Sequence, residues 1–125
     1  MRVLIVDDNK NVRELIKKVL LNAQINVELL EATDGEDAIS IFQKMKPDLT
    51  LMDIVMTPID GLTATRKIIS MNPRAKIIIV SQYPEEEYKR EALACGAIEY
   101  FNKENLSAIP SIIMKYLLYT IGLIT

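Results

Sequence analysis

Short apolar runs alternate along the chain with longer stretches in which apolar residues recur every three or four positions. The short runs are rich in branched aliphatic residues and predict strands, and the longer stretches predict amphipathic helices. The predicted strands are 2–6, 26–32, 48–52, 75–80 and 97–101. The predicted helices are 11–20, 36–46, 62–71, 85–95 and 105–122. Strict alternation of this kind predicts an α/β fold, a doubly wound parallel sheet with right-handed crossovers.

The pattern within single elements predicts where each lies. Strand 2–6 is continuously apolar, as in a central strand covered on both faces, whereas Glu28 and Glu31 predict an edge position for strand 26–32. Helix 11–20 places its apolar residues on one face and its charged residues, Arg13 included, elsewhere. That apolar face consists of Val12, Leu15, Ile16, Val19 and Leu20.

The last predicted helix has more apolar residues than one face can bury. Its core-facing stripe is Ile109, Ile112, Ile113, Tyr116 and Leu117. Further apolar surface comes from Met114, Leu118, Tyr119, Ile121, Leu123 and Ile124. A loosely packed tail is one interpretation, but contiguous exposed apolar patches usually mark contacts, and this favours a homodimer or partner interface.

Polar residues follow four of the predicted strands. They are Asp7 with Asp8, then Asp53, Ser81 and Lys103. Ligands of open parallel sheets bind outside the carboxyl ends of the strands, so these side chains are expected to meet around Asp53. Each alone has an ordinary explanation: a helix cap, a turn residue or a solvated charge. Together, carboxylates suited to Mg²⁺, a lysine and a hydroxyl predict phosphoryl-transfer chemistry.

Composition narrows the function further. The chain has 125 residues, 50% hydrophobic and 26% charged, which fits one domain. A net charge of -2 provides no basic surface for direct nucleic-acid binding. The absence of histidine removes a leading metal ligand, so a metal would be a hard ion on oxygen ligands. The single Cys95 fits a reducing cytoplasm, and neither a signal peptide nor a segment for membrane insertion is expected.

Four motifs carry a family resemblance: VLIVDDN, LMDI with the following IDG, IIIVSQ, and GAIEYFNK. With them the sequence resembles, over essentially its whole length, the receiver domain of bacterial two-component response regulators. The resemblance implies a flavodoxin-like (βα)5 sandwich with strand order 2-1-3-4-5. It also implies a single receiver domain over 1–125, with no output domain following. Such a domain is a phosphoacceptor protein and not an enzyme in the usual sense.

The resemblance assigns roles to the residues at the strand ends. Asp53 matches the aspartate that accepts the phosphoryl group. Asp7 and Asp8 match the acidic pair that holds Mg²⁺, together with Asp53 and the backbone carbonyl of Val55. Lys103 matches the lysine that contacts the phosphoryl group.

Two further positions match the switch of the family. Ser81 matches the hydroxyl residue that turns toward the phosphoryl group, and Tyr100 matches the aromatic residue whose rotamer follows. The implied donor is a phosphohistidine on a sensor histidine kinase or phosphotransfer protein. The implied output is a changed surface on the last two helices and last strand, which contacts a downstream protein or a second copy.

The sequence departs from the family pattern near the site. Thr57 stands at the usual proline position and Pro58 follows, Gln82 replaces the usual small residue, and Glu104 replaces the proline after the lysine. We expect a trans Lys103–Glu104 bond, because a cis bond without proline costs about 2.5–4 kcal/mol.

The lifetime of the phosphorylated state is a separate expectation. The positions that flank the approach of water in receivers are occupied by Val55 and Tyr83, and Gln82 crowds the pocket. Valine cannot orient a water molecule, so these three residues predict slow autodephosphorylation.

Three other functions share parts of this pattern. A pseudo-receiver would bind partners without phosphate turnover, although all five polar positions are intact. A Mg²⁺-dependent phosphatase usually has a second acid two residues after the nucleophile, where Val55 stands. A flavin-binding protein would carry a hydroxyl- and glycine-rich loop after the first strand, where Asp7, Asp8 and Asn9 stand.

Overall fold

A computed structural model describes residues 1–123 as a five-stranded parallel sheet with helices on both faces. The strands are β1 (Arg2–Val6), β2 (Glu28–Ala32), β3 (Leu49–Met52), β4 (Ile77–Ser81) and β5 (Glu99–Asn102). The helices are α1 (Lys10–Asn22), α2 (Gly35–Met45), α3 (Gly61–Met71), α4 (Glu85–Ala94) and α5 (Ile109–Thr120). The strand order is β2-β1-β3-β4-β5, which confirms the predicted topology.

Each face of the sheet has its own core, because successive side chains of a strand point to opposite faces. One core joins the strands to α2, α3 and α4 through residues such as Met52, Phe42 and Ile68. The other joins them to α1 and α5 through residues such as Ile16 and Ile113. Burial on both faces explains why the central strands are continuously apolar in sequence.

The edge position predicted for the second strand is confirmed. β2 pairs with β1 alone, and both Glu28 and Glu31 are exposed. Carboxylates along such an edge discourage pairing with another chain.

The start of the last helix was placed too early. A 3₁₀ helix covers Lys103–Ala108 and α5 begins only at Ile109, because the Asn102 side chain accepts the Glu104 N–H and begins the tighter turn. Asn105 has non-helical dihedral angles within it. Pro110 lies in the first turn of α5, where proline is tolerated.

The exposure of individual apolar residues differs in part from the pattern. Leu15 was assigned to the inner face of its helix but is 46% exposed. In α5, Met114 and Tyr119 are exposed as predicted, whereas Leu118 is half-buried. Ile121 and Leu123 follow the helix and are exposed, and Ile124 lies outside the described residues.

Two further observations concern the backbone. Within residues 1–123 the one cis peptide bond joins Thr57 and Pro58, so the Lys103–Glu104 bond is trans, as predicted. None of the helices in this range is long and apolar enough to cross a membrane.

Candidate functional site

The register of the sheet brings the predicted site residues to one edge. Val6 lies opposite Met52, and Met52 lies opposite Ile79, so β1, β3 and β4 end at neighbouring levels. Asp53 then donates its N–H to the Val6 carbonyl at 2.9 Å. The acids that follow β1 and β3 therefore leave the sheet side by side.

Three carboxylates form the centre of the site. Asp7, Asp8 and Asp53 each offer an oxygen, and these oxygens lie within 4.8 Å of one another. Asp7 and Asp53 are buried, whereas Asp8 is exposed. Clustered carboxylate oxygens that are open to solvent on one side suit Mg²⁺, which keeps several of its water ligands. The donor set therefore fits the predicted cation.

Lys103 lies over the two buried carboxylates. Its Nζ is 2.8 Å from Asp7 Oδ2 and 3.1 Å from Asp53 Oδ1. Burial acts to lower the pKa of Lys103, but the two carboxylates outweigh it and raise that pKa above its usual value. The lysine is therefore a fixed positive charge beside Asp53.

Asp53 is in a less favourable setting for its own charge. Burial first, and then the negative charge of Asp7, raise the pKa of Asp53 to about 6, against the opposing effect of Lys103. Two carboxylates this close cannot both ionise freely. A cation bound between them would relieve the repulsion.

The Asp-Asp pair does not cap the helix that follows it. Asn9 is the N-cap of α1, and its side chain accepts the Asn11 N–H at 2.9 Å. Asp7 Oδ1 accepts the Asn9 N–H at 2.9 Å, which fixes the carboxylate toward the site. The capping interpretation is thus removed for Asp7 and Asp8, and Asn9 is a site residue that the pattern analysis did not assign.

These side chains border a crevice of about 160 Å³. Its lining consists of Asp7, Asp8, Asn9, Asp53, Val55, Gln82 and Lys103. Val55 lies at its rim and is 51% exposed. Tyr83 is not part of the lining, and its ring packs against Tyr88 with centroids 5.0 Å apart.

The backbone of Tyr83 joins the two predicted switch residues. Its N–H donates to Ser81 Oγ at 3.0 Å, and its carbonyl accepts the Tyr100 hydroxyl at 2.8 Å. Ser81 and Tyr100 are both buried. A movement of the Ser81 hydroxyl would therefore disturb the segment that holds Tyr100.

The loop after Asp53 is closed by close backbone packing. Gly61, the first residue of α3, donates its N–H to the Ile54 carbonyl at 2.8 Å. A Cβ at Gly61 would lie 1.7 Å from the Asp53 carbonyl oxygen. Glycine is needed here because the start of α3 lies directly against the Asp53 backbone.

Most of the chain matches one family. Residues 3–113 match the family described as the response regulator receiver domain. The chain belongs to this family. The fold and the acid cluster at the carboxyl edge agree with that membership.

Two curated relatives and one solved structure illustrate the likeness. The chain is 38% identical over 107 residues to the uncharacterized transcriptional regulatory protein YxjL of Bacillus subtilis, covering 85% of this chain and 49% of that protein. It is 36% identical over 102 residues to the chemotaxis protein CheY of Thermotoga maritima, covering 82% of this chain and 84% of that one. The receiver thus spans about half the length of YxjL.

The structural comparison gives the same family. The response regulator protein TrrA of Thermotoga maritima, in complex with Mg(2+)-BeF, superposes with a TM-score of 0.80 at 32% identity. The match covers 92% of this chain and 97% of that one.

Proposed function

We propose that this receiver is a phosphorylation-dependent signalling switch that accepts a phosphoryl group on Asp53. The observation that carries the proposal is the setting of Asp53, with a lysine Nζ 3.1 Å from one carboxylate oxygen and two further acids clustered beside it. The donor is a phosphohistidine on a sensor histidine kinase or a phosphotransfer protein.

The transfer is one displacement at phosphorus. A carboxylate oxygen of Asp53 forms the new O–P bond as the P–N bond of phosphohistidine breaks, and the imidazole leaves with the electron pair. Lys103 contacts the phosphoryl oxygens through its Nζ, which already lies at Asp53. Asp7, Asp8, Asp53 and the backbone carbonyl of Val55 would hold Mg²⁺, which would supply positive charge to offset that of the phosphoryl group.

Labelling by a small phosphodonor tests the assignment. The protein is incubated with Mg²⁺ and acetyl phosphate, and its intact mass is measured. One phosphoryl group is expected on the parent and none on Asp53→Asn or in the presence of EDTA. Asp60→Asn is the matched control, because Asp60 caps α3 outside the crevice lining and asparagine caps equally well. A parent without a mass shift would instead support a pseudo-receiver.

The switch is proposed to run through the Tyr83 backbone. Ser81 Oγ, now bonded to the Tyr83 N–H, turns to the phosphoryl group and releases that segment, and Tyr100 changes rotamer with it. Ser81→Ala should still be labelled on Asp53 while Tyr100 stops responding. Fluorine NMR of fluorotyrosine-labelled protein, with Tyr100→Phe to assign the signal, measures this response. A full Tyr100 response in Ser81→Ala would contradict the route.

The lifetime of the phosphorylated state is proposed to be long. Val55 and Gln82 both border the crevice. The Val55 side chain has no polar group that could orient a water molecule for attack on the phosphorus, and Gln82 crowds the approach. Each ~1.4 kcal/mol by which the loss of an orienting group raises the activation free energy slows hydrolysis tenfold. Val55→Asn should shorten the decay measured after donor removal. Tyr83→Glu is the companion change, and the packing of Tyr83 on Tyr88 predicts the smaller effect for it.

The output surface is proposed to lie on α4, β5 and α5. Met114 and Tyr119 are exposed on α5, and Ile121 and Leu123 continue the apolar surface beyond it. A downstream protein or a second copy would cover this surface. Sedimentation of the unmodified and phosphorylated protein at high concentration tests the homodimer, and a strict monomer in both states would remove it.

A further inference from the structure

Arg13 contacts the acidic loop from outside the crevice. Its Nη1 donates to the Asp7 carbonyl at 2.7 Å, and its Nε donates to Glu31 Oε1 at 3.0 Å. The Arg13 side chain is only 12% exposed, although the helical pattern places it off the apolar face of its helix. One guanidinium therefore links α1, the end of β1 and the edge strand β2.

With this contact, every hydrogen-bonding group of Asp7 is in use. Its N–H donates to the Ala32 carbonyl, and its two carboxylate oxygens accept from the Asn9 N–H and from Lys103 Nζ. The bond from Arg13 holds the remaining group, the carbonyl. The Asp7 residue is thus fixed on all sides by four different residues.

The carbonyl contact reaches Asp8 through the backbone. The Asp7 carbonyl and the Asp8 N–H belong to one planar peptide unit, so the direction of the first sets the orientation of the second. Asp8 is the exposed member of the acid cluster. Fixing this peptide plane therefore limits the directions that the side chain of Asp8, which lines the crevice, can take.

We propose that Arg13 is a positioning residue for the Mg²⁺ site, which acts by holding the Asp7–Asp8 peptide through the Asp7 carbonyl while Glu31 orients its guanidinium. This inference rests on the proposed function. Arginine is required because two donors of one rigid fork reach a carbonyl and a carboxylate at the same time, and the single ammonium of lysine cannot reproduce that geometry. Groups that orient metal ligands typically account for about 10–100-fold in metal affinity.

The chain contains a matched control at the other end of the sheet. Arg2 Nε donates to Glu28 Oε2 at 3.0 Å, and Arg2 Nη1 donates to the Met45 carbonyl at 2.9 Å. Like Arg13, it joins one β2 carboxylate to one backbone carbonyl, but neither partner belongs to the acid cluster. Arg2→Lys therefore makes the same chemical change without touching the site.

The test is the Mg²⁺ affinity of the parent, Arg13→Lys and Arg2→Lys by isothermal titration calorimetry. Arg13→Lys is expected to bind Mg²⁺ about tenfold more weakly, with Arg2→Lys equal to the parent. In labelling with acetyl phosphate, Arg13→Lys should need more Mg²⁺ for half-maximal rate but reach a similar limiting rate. A general loss of structure would lower the limiting rate as well.

Two results would overturn the inference: parental Mg²⁺ affinity in Arg13→Lys, or an equal loss in Arg2→Lys. Urea unfolding in EDTA checks that both variants fold. Glu31→Ala, paired with Glu28→Ala, provides a second test, since only the first should weaken Mg²⁺ binding. A parent that binds no Mg²⁺ would refute the proposed function itself, and is thereby distinguished from a failure of Arg13 alone.

Discussion

At the scale of single residues, the buried polar side chains of this protein differ in whether they have a hydrogen-bonding or charged partner. Asp53 is buried beside a second buried acid, Asp7, and Lys103 lies against both. Thr50 and Thr65 are both fully buried, but only Thr65 has a hydrogen bond, from Oγ1 to the Gly61 carbonyl at 2.7 Å. Thr50 Oγ1 has no partner within the described part of the chain.

Asp53→Asn should stabilise the metal-free protein at neutral pH. Burial and Asp7 raise the pKa of Asp53 from 3.8 to about 6, so the folded state bears an ionisation cost above pH 6 that the unfolded state does not. As the pH falls from about 6 to about 4, the folded state takes up a proton first and the parent regains stability. The variant should therefore exceed the parent by about 1–3 kcal/mol at pH 7.5, and the difference should shrink toward pH 4.

Urea unfolding in EDTA at several pH values measures this difference. Lys103 keeps Asp7 as a partner at 2.8 Å in the variant, so its charge is not left unpaired. A variant that is less stable than the parent at pH 7.5 would contradict the argument.

Thr50→Val should raise the free energy of unfolding by about 1 kcal/mol, because a methyl group replaces a buried hydroxyl without a partner. Thr50 lies in β3 between Leu4 and Ile77 of the neighbouring strands, where an apolar group packs well. Thr65→Val is the control and should cost about 1 kcal/mol, since it removes a hydrogen bond. Thermal and urea unfolding report both values, and the same sign for the two variants would refute the assignment.

At the scale of elements, the start of α3 shapes the loop that carries the site. Asp60 caps this helix by accepting the Thr63 N–H at 2.8 Å, and Gly61 then packs against the Asp53 carbonyl. On the other side of the site, Lys103 is the first residue of the 3₁₀ helix that joins β5 to α5. The functional side chains therefore depend on how neighbouring elements begin.

Gly61→Ala should destabilise the protein by about 2–3 kcal/mol and slow its labelling by acetyl phosphate. The added Cβ would lie 1.7 Å from the Asp53 carbonyl oxygen, so the Asp53 backbone or α3 must move. Gly122→Ala is the control, because no atom of residues 1–123 lies within 4 Å of a Cβ there, although its φ of +80° adds a local cost. Equal labelling rates for parent and Gly61→Ala would show that the backbone adapts without moving the carboxylate.

At the scale of the whole molecule, the site joins separate parts of the chain. Asp7 and Asp8 follow β1, Asp53 follows β3 and Lys103 follows β5. A cation bound by these acids would therefore contact residues that come together only in the folded protein. Anything that binds only the folded state raises the free energy of unfolding.

Mg²⁺ should therefore stabilise the parent by about 1.4 kcal/mol for each tenfold increase above its dissociation constant. Asp8→Asn removes a proposed ligand and should reduce this gain, while Asp60→Asn should keep it. Urea unfolding over a series of Mg²⁺ concentrations provides the measurement. A gain that is unchanged in Asp8→Asn would place the cation elsewhere.

The pattern of the chain was sufficient for the type and succession of the elements, whereas the strand order 2-1-3-4-5 was expected from the family resemblance. Central strands covered on both faces must be continuously apolar, and helices that pack on a sheet must be amphipathic. The local periodicity of apolar residues therefore predicts the type of each element and the succession of elements along the chain. Because parallel strands end at one edge, the meeting of Asp7, Asp8, Asp53 and Lys103 followed from their positions after strands. The roles of Ser81, Tyr100 and Val55 remain predictions from the family resemblance.

Only the tertiary structure decided which contacts complete the site. Arg13 and Leu15 show this in opposite directions, since the charged residue is nearly buried and the apolar one is half exposed. Helical periodicity assigns a residue to a face of its helix but does not say where the neighbouring strand ends. Arg13 is nearly buried because it donates hydrogen bonds to the carbonyl of Asp7 and the carboxylate of Glu31. Likewise, Tyr83 packs on Tyr88, away from the lining of the crevice, because the start of α4 lies beside it. Such pairings join residues of different segments of the fold, and helical or strand periodicity does not encode how those segments meet.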